Sequence, residues 1–327
     1  MSAALPIYED VRRAAGRLAG HAAVTPLIES PLLNETLGGR LLVKCEMLQK
    51  TGSFKFRGAF NAISMIPAAK RKDGVVAFSS GNHAQGVAAA ARMLGAPAWM
   101  IMPADAPAMK IANTRAYGAE VILYDRFGES REEIGERISR ERNATLVKPY
   151  DDPGIIAGQG TIGLELVEQA TALGVVPDAV LMGCSGGGLA SGVALGLSLD
   201  LPDTQVHTVE PAGLDDMARS LISGKHESNA ADARSICDAL MARTPGDLTF
   251  AIAKTRLAPG LAVTDDEVRR AMAAAFRHLK IVVEPGGAVG LAAVLAGKLP
   301  IEGRTIVVIA SGGNVEPAFF RDVLATS

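Results

Sequence analysis

Four short segments combine reactive or polar side chains with the small residues that let backbone approach a ligand. In Thr51-Gly52-Ser53-Phe54-Lys55-Phe56-Arg57-Gly58 a lysine opens a helical pattern, after a serine suited to N-capping and beside an aromatic ring. The positive end of a helix and the neighbouring Arg57 would both disfavour the ammonium form, which makes Lys55 a candidate nucleophilic amine. The alternative is a surface lysine. Ser79-Ser80-Gly81-Asn82-His83 follows an apolar run ending at Phe78 and opens a helix. Several outward N–H groups there would suit the carboxylate of an amino acid; an ordinary glycine turn capped by Ser80 is the competing reading.

Ser185-Gly186-Gly187-Gly188 again joins a strand to a helix, and residues without side chains let the backbone close round a phosphate. A dinucleotide site requires Gly-x-Gly-x-x-Gly, whereas these glycines are contiguous, and no Gly-Lys-Ser/Thr pair marks a nucleotide loop. A cradle for a single phosphate fits better. Ser311-Gly312-Gly313-Asn314 places a hydroxyl at the carboxyl end of the last strand, where open α/β sheets bind ligands. Gly183-Cys184-Ser185-Gly186-Gly187 misses the serine-hydrolase order Gly-x-Ser-x-Gly by one position. His83 lies in the second segment, while His21, His207, His226 and His278 have no partner motif.

The elements that position these segments form an alternation of short apolar runs and longer helical patterns, the signature of parallel sheet built from βαβ units. Strands are predicted at Arg40–Cys45, Val75–Phe78, Ala98–Met102, Glu120–Tyr124, Ala144–Val147, Ala179–Met182, Gln205–Val209 and Thr305–Ile309, and helices include His83–Leu94 and Asp265–His278. The uncharged stretch Ala179–Leu199 has the length of a membrane span, but its central glycines split it into strand, loop and helix. No linker divides the chain. The four consecutive strands from Val75 to Val147 suggest a small domain at 50–145 inserted into a large one made of 1–49 and 146–327.

Composition bounds the function. A chain of 327 residues with 48% hydrophobic and 21% charged content can fill real cores. Its 33 Lys and Arg against 35 Asp and Glu, with no basic block, argue against a nucleic-acid partner. Cys45, Cys184 and Cys237 form neither a metal-ligand spacing nor a disulfide framework and suit a reducing cytoplasm. The charged segment Met1–Leu18 lacks the apolar core of a secretory signal and reads as an amphipathic helix; no membrane association is expected.

Together the segments resemble the fold-type II pyridoxal 5′-phosphate (PLP) enzymes, specifically the threonine dehydratase and serine racemase group. The likeness runs from about Tyr8 to Phe320 and is closest at Thr51–Gly58, Ser79–Gly86, Ala157-Gly158-Gln159-Gly160-Thr161, Val209-Glu210-Pro211, Val283-Glu284-Pro285-Gly286-Gly287 and Ser311–Val315. It implies an α/β fold of two open, twisted, mainly parallel sheets flanked by helices, as in the tryptophan synthase β subunit. It also implies that Lys55 binds the cofactor covalently, that Phe54 packs beside the ring and that Asn82 hydrogen-bonds the ring oxygen. Ser185, Gly186, Gly187, Gly188 and Leu189 would hold the phosphate through backbone N–H groups, and Ser311 would face the pyridine nitrogen. A neutral hydroxyl there makes the cofactor a weaker electron sink than an aspartate would, which favours β-elimination over transamination.

The implied reaction converts L-threonine and/or L-serine to a 2-oxo acid and ammonia, with Lys55 removing the Cα proton and Ser79, Ser80, Gly81, Asn82 and His83 holding the substrate. Serine or aspartate-type racemisation and 3-hydroxyaspartate dehydration are alternatives, and so is PLP binding without turnover. Ser80 bears on that choice, since racemases of the group share Ser-Ser-Gly-Asn-His while many dehydratases have Ser-Ala-Gly-Asn-His. Glu210, Leu214 and Asp216 match a divalent-cation site of the racemase-like members, suited by its oxygen ligands to Mg²⁺ or Ca²⁺. Arg131 and Asp151 stand where related enzymes meet the substrate's side-chain end. Where relatives often show Asp-Gly over the ring, this chain has Cys237-Asp238-Ala239-Leu240. A homodimer or higher homo-oligomer is expected, and the end at Ser327 leaves no room for a C-terminal regulatory domain.

Overall fold

Alternate residues along the strands enter different cores, so the strands are apolar on both faces. In the computed structural model, which describes residues 4–126 and 128–326, Leu181, Ile306 and Val308 pack into one layer while Val180, Met182, Val307 and Ile309 pack into another. The same period of two splits Val75 and Ala77 from Val76 and Phe78 in a second sheet. Both sheets are therefore sandwiched by helices, as continuous β-branched runs require.

The strands are β1 (Leu27–Ile28), β2 (Arg40–Cys45), β3 (Val75–Phe78), β4 (Ala98–Pro103), β5 (Glu120–Tyr124), β6 (Thr145–Leu146), β7 (Ala179–Gly183), β8 (Gln205–Pro211), β9 (Leu261–Val263) and β10 (Thr305–Ala310). The larger sheet has the order β1-β2-β10-β7-β8-β9 and is parallel except for the antiparallel edge strand β1. The smaller, all-parallel sheet has the order β5-β4-β3-β6. All eight expected strands are present, and β1 and β9 are additions. The stretch Ala179–Leu199 is indeed split: β7, a glycine loop, then the helix Gly188–Leu197. Among the described residues no helix is long and apolar enough to cross a membrane. The three cysteines are buried and unpaired.

The long helix Pro153–Ala172 sets the distance between the Lys55 segment and the glycine loop. A Cβ on Gly158 would lie 2.6 Å from the Cα of Gly58, and one on Gly160 would lie 2.7 Å from the carbonyl oxygen of Gly192. Only glycine permits such close backbone contact. Ionic packing reinforces it: the buried Arg57 guanidinium pairs with Glu46 at 2.8 Å and Glu165 at 2.6 Å, and Glu165 also takes the buried Lys44 at 2.6 Å. Removing one partner of such a pair costs about 3–5 kcal/mol.

Candidate active site

The carboxyl ends of β3, β7 and β10 open on one cleft, enclosing about 1110 Å³ of empty space including its mouth. Phe54, Lys55, Ser79, Ser80, Asn82, His83, Ser185 to Leu189 and Ser311 all line it. The structure thus brings together the residues expected at the site except Gly81, Asp151 and the three proposed cation ligands. A side chain at Gly81 would run into the methylenes of Lys110, so this glycine makes room for that residue.

Lys55 is the first residue of the helix Lys55–Met65. The preceding residues are pinned to the loop after β10: Phe54 N–H donates to the Ser311 carbonyl at 3.1 Å, and Gly313 N–H to the Gly52 carbonyl at 2.9 Å. The Lys55 amine donates to the Pro149 carbonyl at 2.9 Å and lies 5.2 Å from the centre of the Phe54 ring. Burial lowers its pKa to about 8, by disfavouring the charged form. Two expectations are corrected here. Arg57 is not among the causes of that shift; it faces away, toward Glu46 and Glu165. Ser53 does not cap the helix: it bridges Gly312, and its buried hydroxyl has no partner among the described residues.

The glycine loop leads from β7 into the helix Gly188–Leu197, whose first turn has N–H groups with no intrahelical acceptor. Gly187 is left-handed at φ 92°. Its missing Cβ would meet Met217 at 2.6 Å and Thr249 at 2.9 Å. The wall behind the loop therefore requires glycine at this position. Tyr150 packs where side chains on Gly186 and Gly188 would go. The Ser185 hydroxyl accepts from Ala242 N–H at 3.1 Å, tying the loop to the segment Asp238–Ala242 across the cleft. Bare backbone at a helix start, with a lysine amine across the cleft, fits a phosphate-bearing aldehyde such as PLP.

In the Ser79–His83 turn the Ser79 hydroxyl accepts from Gly81 N–H at 3.1 Å, and the helix Asn82–Met93 begins with no side-chain cap. Ser80 therefore lines the cleft and does not cap the helix. The buried His83 ring contacts the Val147 carbonyl through Nε2 at 3.2 Å, and desolvation together with the Lys55 charge brings its pKa to about 3. It is neutral at working pH. Of the other histidines, His207 contacts the Pro259 carbonyl, His21 stacks on Phe60 and His226 meets the Phe250 ring edge to face.

At the outer end, Arg131 lines the cleft with its guanidinium 5.1 Å from the centre of the Phe78 ring and its Nε on Glu132 at 2.8 Å. The other arginine there, Arg126, is occupied by Asp105 at 3.0 Å. Asp151 does not line the cleft; it accepts from Leu248 N–H at 2.9 Å in the first turn of another helix. Lys110, Pro149 and Tyr150 line the cleft without having been foreseen, and Ala239 lines it as the loop sequence suggested. No local motif marks Lys110, and only packing of its helix against Gly81 brings it in.

Away from the cleft, Glu210 at the end of β8 accepts from Met217 and Ala218 N–H groups at 3.0 and 2.8 Å. Burial and the Asp216 charge push Glu210 up to about 8, and burial lifts Asp216 to about 6 despite its hydrogen bond from Asn229. One Asp216 oxygen is buried with no partner among the described residues. Leu214 is buried in the turn between them. Among the described residues no cluster of three or more His, Cys, Asp or Glu forms a metal site.

Comparison with known proteins agrees with this geometry. A family model described as pyridoxal-phosphate dependent enzyme matches residues 18–312. The chain is 45% identical over 322 residues to an L-threo-3-hydroxyaspartate ammonia-lyase of Pseudomonas sp, covering 98% of this chain and 99% of that one. It is 41% identical over 314 residues to a serine racemase of Schizosaccharomyces pombe, covering 95% of each. The crystal structure of a T.th. threonine deaminase superposes with a TM-score of 0.89 at 43% identity, over 95% of this chain and 99% of that one. With the fold, the lysine and the glycine loop in these positions, the chain belongs to the pyridoxal-phosphate dependent enzymes.

Proposed function

We propose that this enzyme is an ammonia-lyase acting on a small β-hydroxy amino acid that carries a second carboxylate, 3-hydroxyaspartate, ahead of L-threonine and L-serine. The observation that carries the reading is Arg131: a guanidinium lining the cleft whose ion pair with Glu132 at 2.8 Å engages Nε, and to which no cleft-lining carboxylate is paired among the described residues. A planar guanidinium recognises a carboxylate through two parallel hydrogen bonds and gains nothing comparable from the methyl of threonine. The relative from Pseudomonas sp bears the name of that activity, which supports the same reading.

PLP, when bound, supplies the electron sink that lets a proton leave Cα. The remaining steps belong to the protein's own side chains. Lys55 would hold the cofactor through its aldehyde, and its amine would take up the Cα proton of the substrate. An amine lowered to about 8 is better placed for that transfer than an ordinary lysine, because an appreciable minority of it is neutral near physiological pH. N–H groups of the Ser79–His83 turn would hold the α-carboxylate and Arg131 the β-carboxylate, which fixes the hydroxyl between them. Loss of water and hydrolysis then give the 2-oxo diacid and ammonia. Ser185 to Leu189 would hold the cofactor phosphate, and Ser311 would face the ring nitrogen.

Two additions follow from specific observations. Ser80 lines the cleft without a capping role, which favours racemisation as a second activity. The unpartnered Asp216 oxygen beside buried Glu210 suits Mg²⁺ or Ca²⁺, with the Leu214 carbonyl as a third oxygen. Replacing Arg131 by Gln tests the main reading. It should lower kcat/KM for 3-hydroxyaspartate by about 10- to 100-fold and leave serine nearly unchanged; equal losses on both substrates would overturn it.

A further inference from the structure

One wall of the cleft carries a chain of polar side chains whose direction is set at both ends. At one end the ammonium of Lys110, buried on the helix Ala108–Ala116, pairs with Asp238 at 2.8 Å and with Glu284 at 3.0 Å. An ammonium can only donate. At the other end the Thr51 carbonyl, which can only accept, receives the Asn314 side-chain amide at 2.8 Å. Between them the same Asn314 nitrogen donates to Asn82 Oδ1 at 2.9 Å, and Asn82 Nδ2 donates to the second Glu284 oxygen.

This arrangement leaves one consistent choice for the Asn82 amide. While Glu284 is ionised it accepts from both sides, so Asn82 must turn its nitrogen toward Glu284 and its oxygen toward Asn314. The reverse orientation would set oxygen against oxygen at Glu284 and NH₂ against NH₂ at Asn314. Ionisation of Glu284 is not free: its side chain is 2% exposed, burial raises its pKa, and Asp238 adds to that while Lys110 opposes it. The other titratable group facing it is the Cys237 thiol, itself pushed up to about 12 and so neutral.

We infer that Lys110 is a positioning residue which, by keeping Glu284 a hydrogen-bond acceptor, sets the Asn82 amide so that its remaining N–H is available to a ligand in the cleft. The inference rests on the cofactor reading above, in which Asn82 meets the ring oxygen. Lys110 acts through Glu284 and Asn82. Its place beneath the Ser79–His83 turn is secured by the bare backbone of Gly81.

The test is PLP binding by the apoprotein, titrated between pH 6 and pH 9, for wild type, Lys110→Met, Glu284→Gln and the double variant. Wild-type binding tests the cofactor reading by itself, and its absence would overturn both readings. In Glu284→Gln the lysine claims the amide oxygen, turns the Gln nitrogen toward Asn82 and forces that amide round, so PLP binding should weaken about tenfold at every pH. Adding Lys110→Met frees the Gln to rotate, and binding should return most of the way. Lys110→Met alone should bind relatively worse as pH falls, because Glu284 then takes up a proton. Additive losses in the double variant, or wild-type affinity in Glu284→Gln, would overturn the inference. Should Lys110→Met alone fail to fold, the comparison of Glu284→Gln with the double variant still decides it.

Discussion

Lys55 gives its side-chain hydrogen bond to the Pro149 carbonyl at 2.9 Å, and no carboxylate pairs with it among the described residues. The neutral partner keeps the amine reactive, and it has a cost in the apoprotein. The folded pKa of about 8 lies below the unfolded 10.5. Below pH 8 the lysine is charged in both states and folding bears the full penalty. As pH rises from 8 to 10.5 the penalty disappears. Lys55→Met should therefore lose PLP binding and turnover yet make the apoprotein more stable at pH 7, by up to about 3 kcal/mol. Urea unfolding at pH 7 and pH 10.5 would show the gain shrinking with pH; a less stable variant at pH 7 would contradict it.

At Gly187 both the left-handed backbone and the contacts with Met217 and Thr249 exclude a side chain. Gly187→Ala should cost about 1–3 kcal/mol of stability and weaken PLP retention as the loop shifts. Thermal melts of the apoprotein and a PLP titration measure the two effects. Full affinity in an equally stable variant would remove the loop from the site.

Much of this architecture is legible in the residues, and the gaps have physical causes. The β-branched runs at Val75–Phe78 and Thr305–Ile309 announce strands buried on both faces, whereas β1 and β9 have two and three residues, too few to show a period. Lysine and glycine segments at strand ends pointed to the cleft. Lys110 did not, because nothing in its own helix distinguishes it from a surface lysine; its burial is a property of the contact with Gly81. Arg57 was assigned an effect on Lys55 from sequence proximity alone. Two residues apart at a helix start, the side chains point in different directions, and Arg57 belongs to the Glu46 and Glu165 cluster.

Ser80 separates the lyase and racemase activities if it donates a proton on the face opposite Lys55. Ser80→Ala should then abolish interconversion of D- and L-serine and elimination from D-serine while sparing elimination from the L-enantiomer. Following 2-oxo acid release and enantiomer ratio in parallel measures both. A uniform loss of every activity would reduce Ser80 to a substrate contact.

Glu210 and Asp216 predict a stabilising cation. Chelation should lower the melting temperature, and Mg²⁺ or Ca²⁺ at about 100 times its Kd should restore about 2.7 kcal/mol. Glu210→Gln should melt at a temperature the chelator does not change. A wild-type melting curve indifferent to chelator and ion would dismiss the site.

Substrate choice tests the role of Arg131 most directly. Purified enzyme with PLP, offered L-threo-3-hydroxyaspartate, L-serine and L-threonine in turn, can be assayed for ammonia and 2-oxo acid together. The placement of Arg131 predicts equimolar release of both products and the highest kcat/KM for 3-hydroxyaspartate. Faster turnover of serine or threonine would contradict the assignment of the second carboxylate, and no 2-oxo acid from any of the three would contradict the lyase itself.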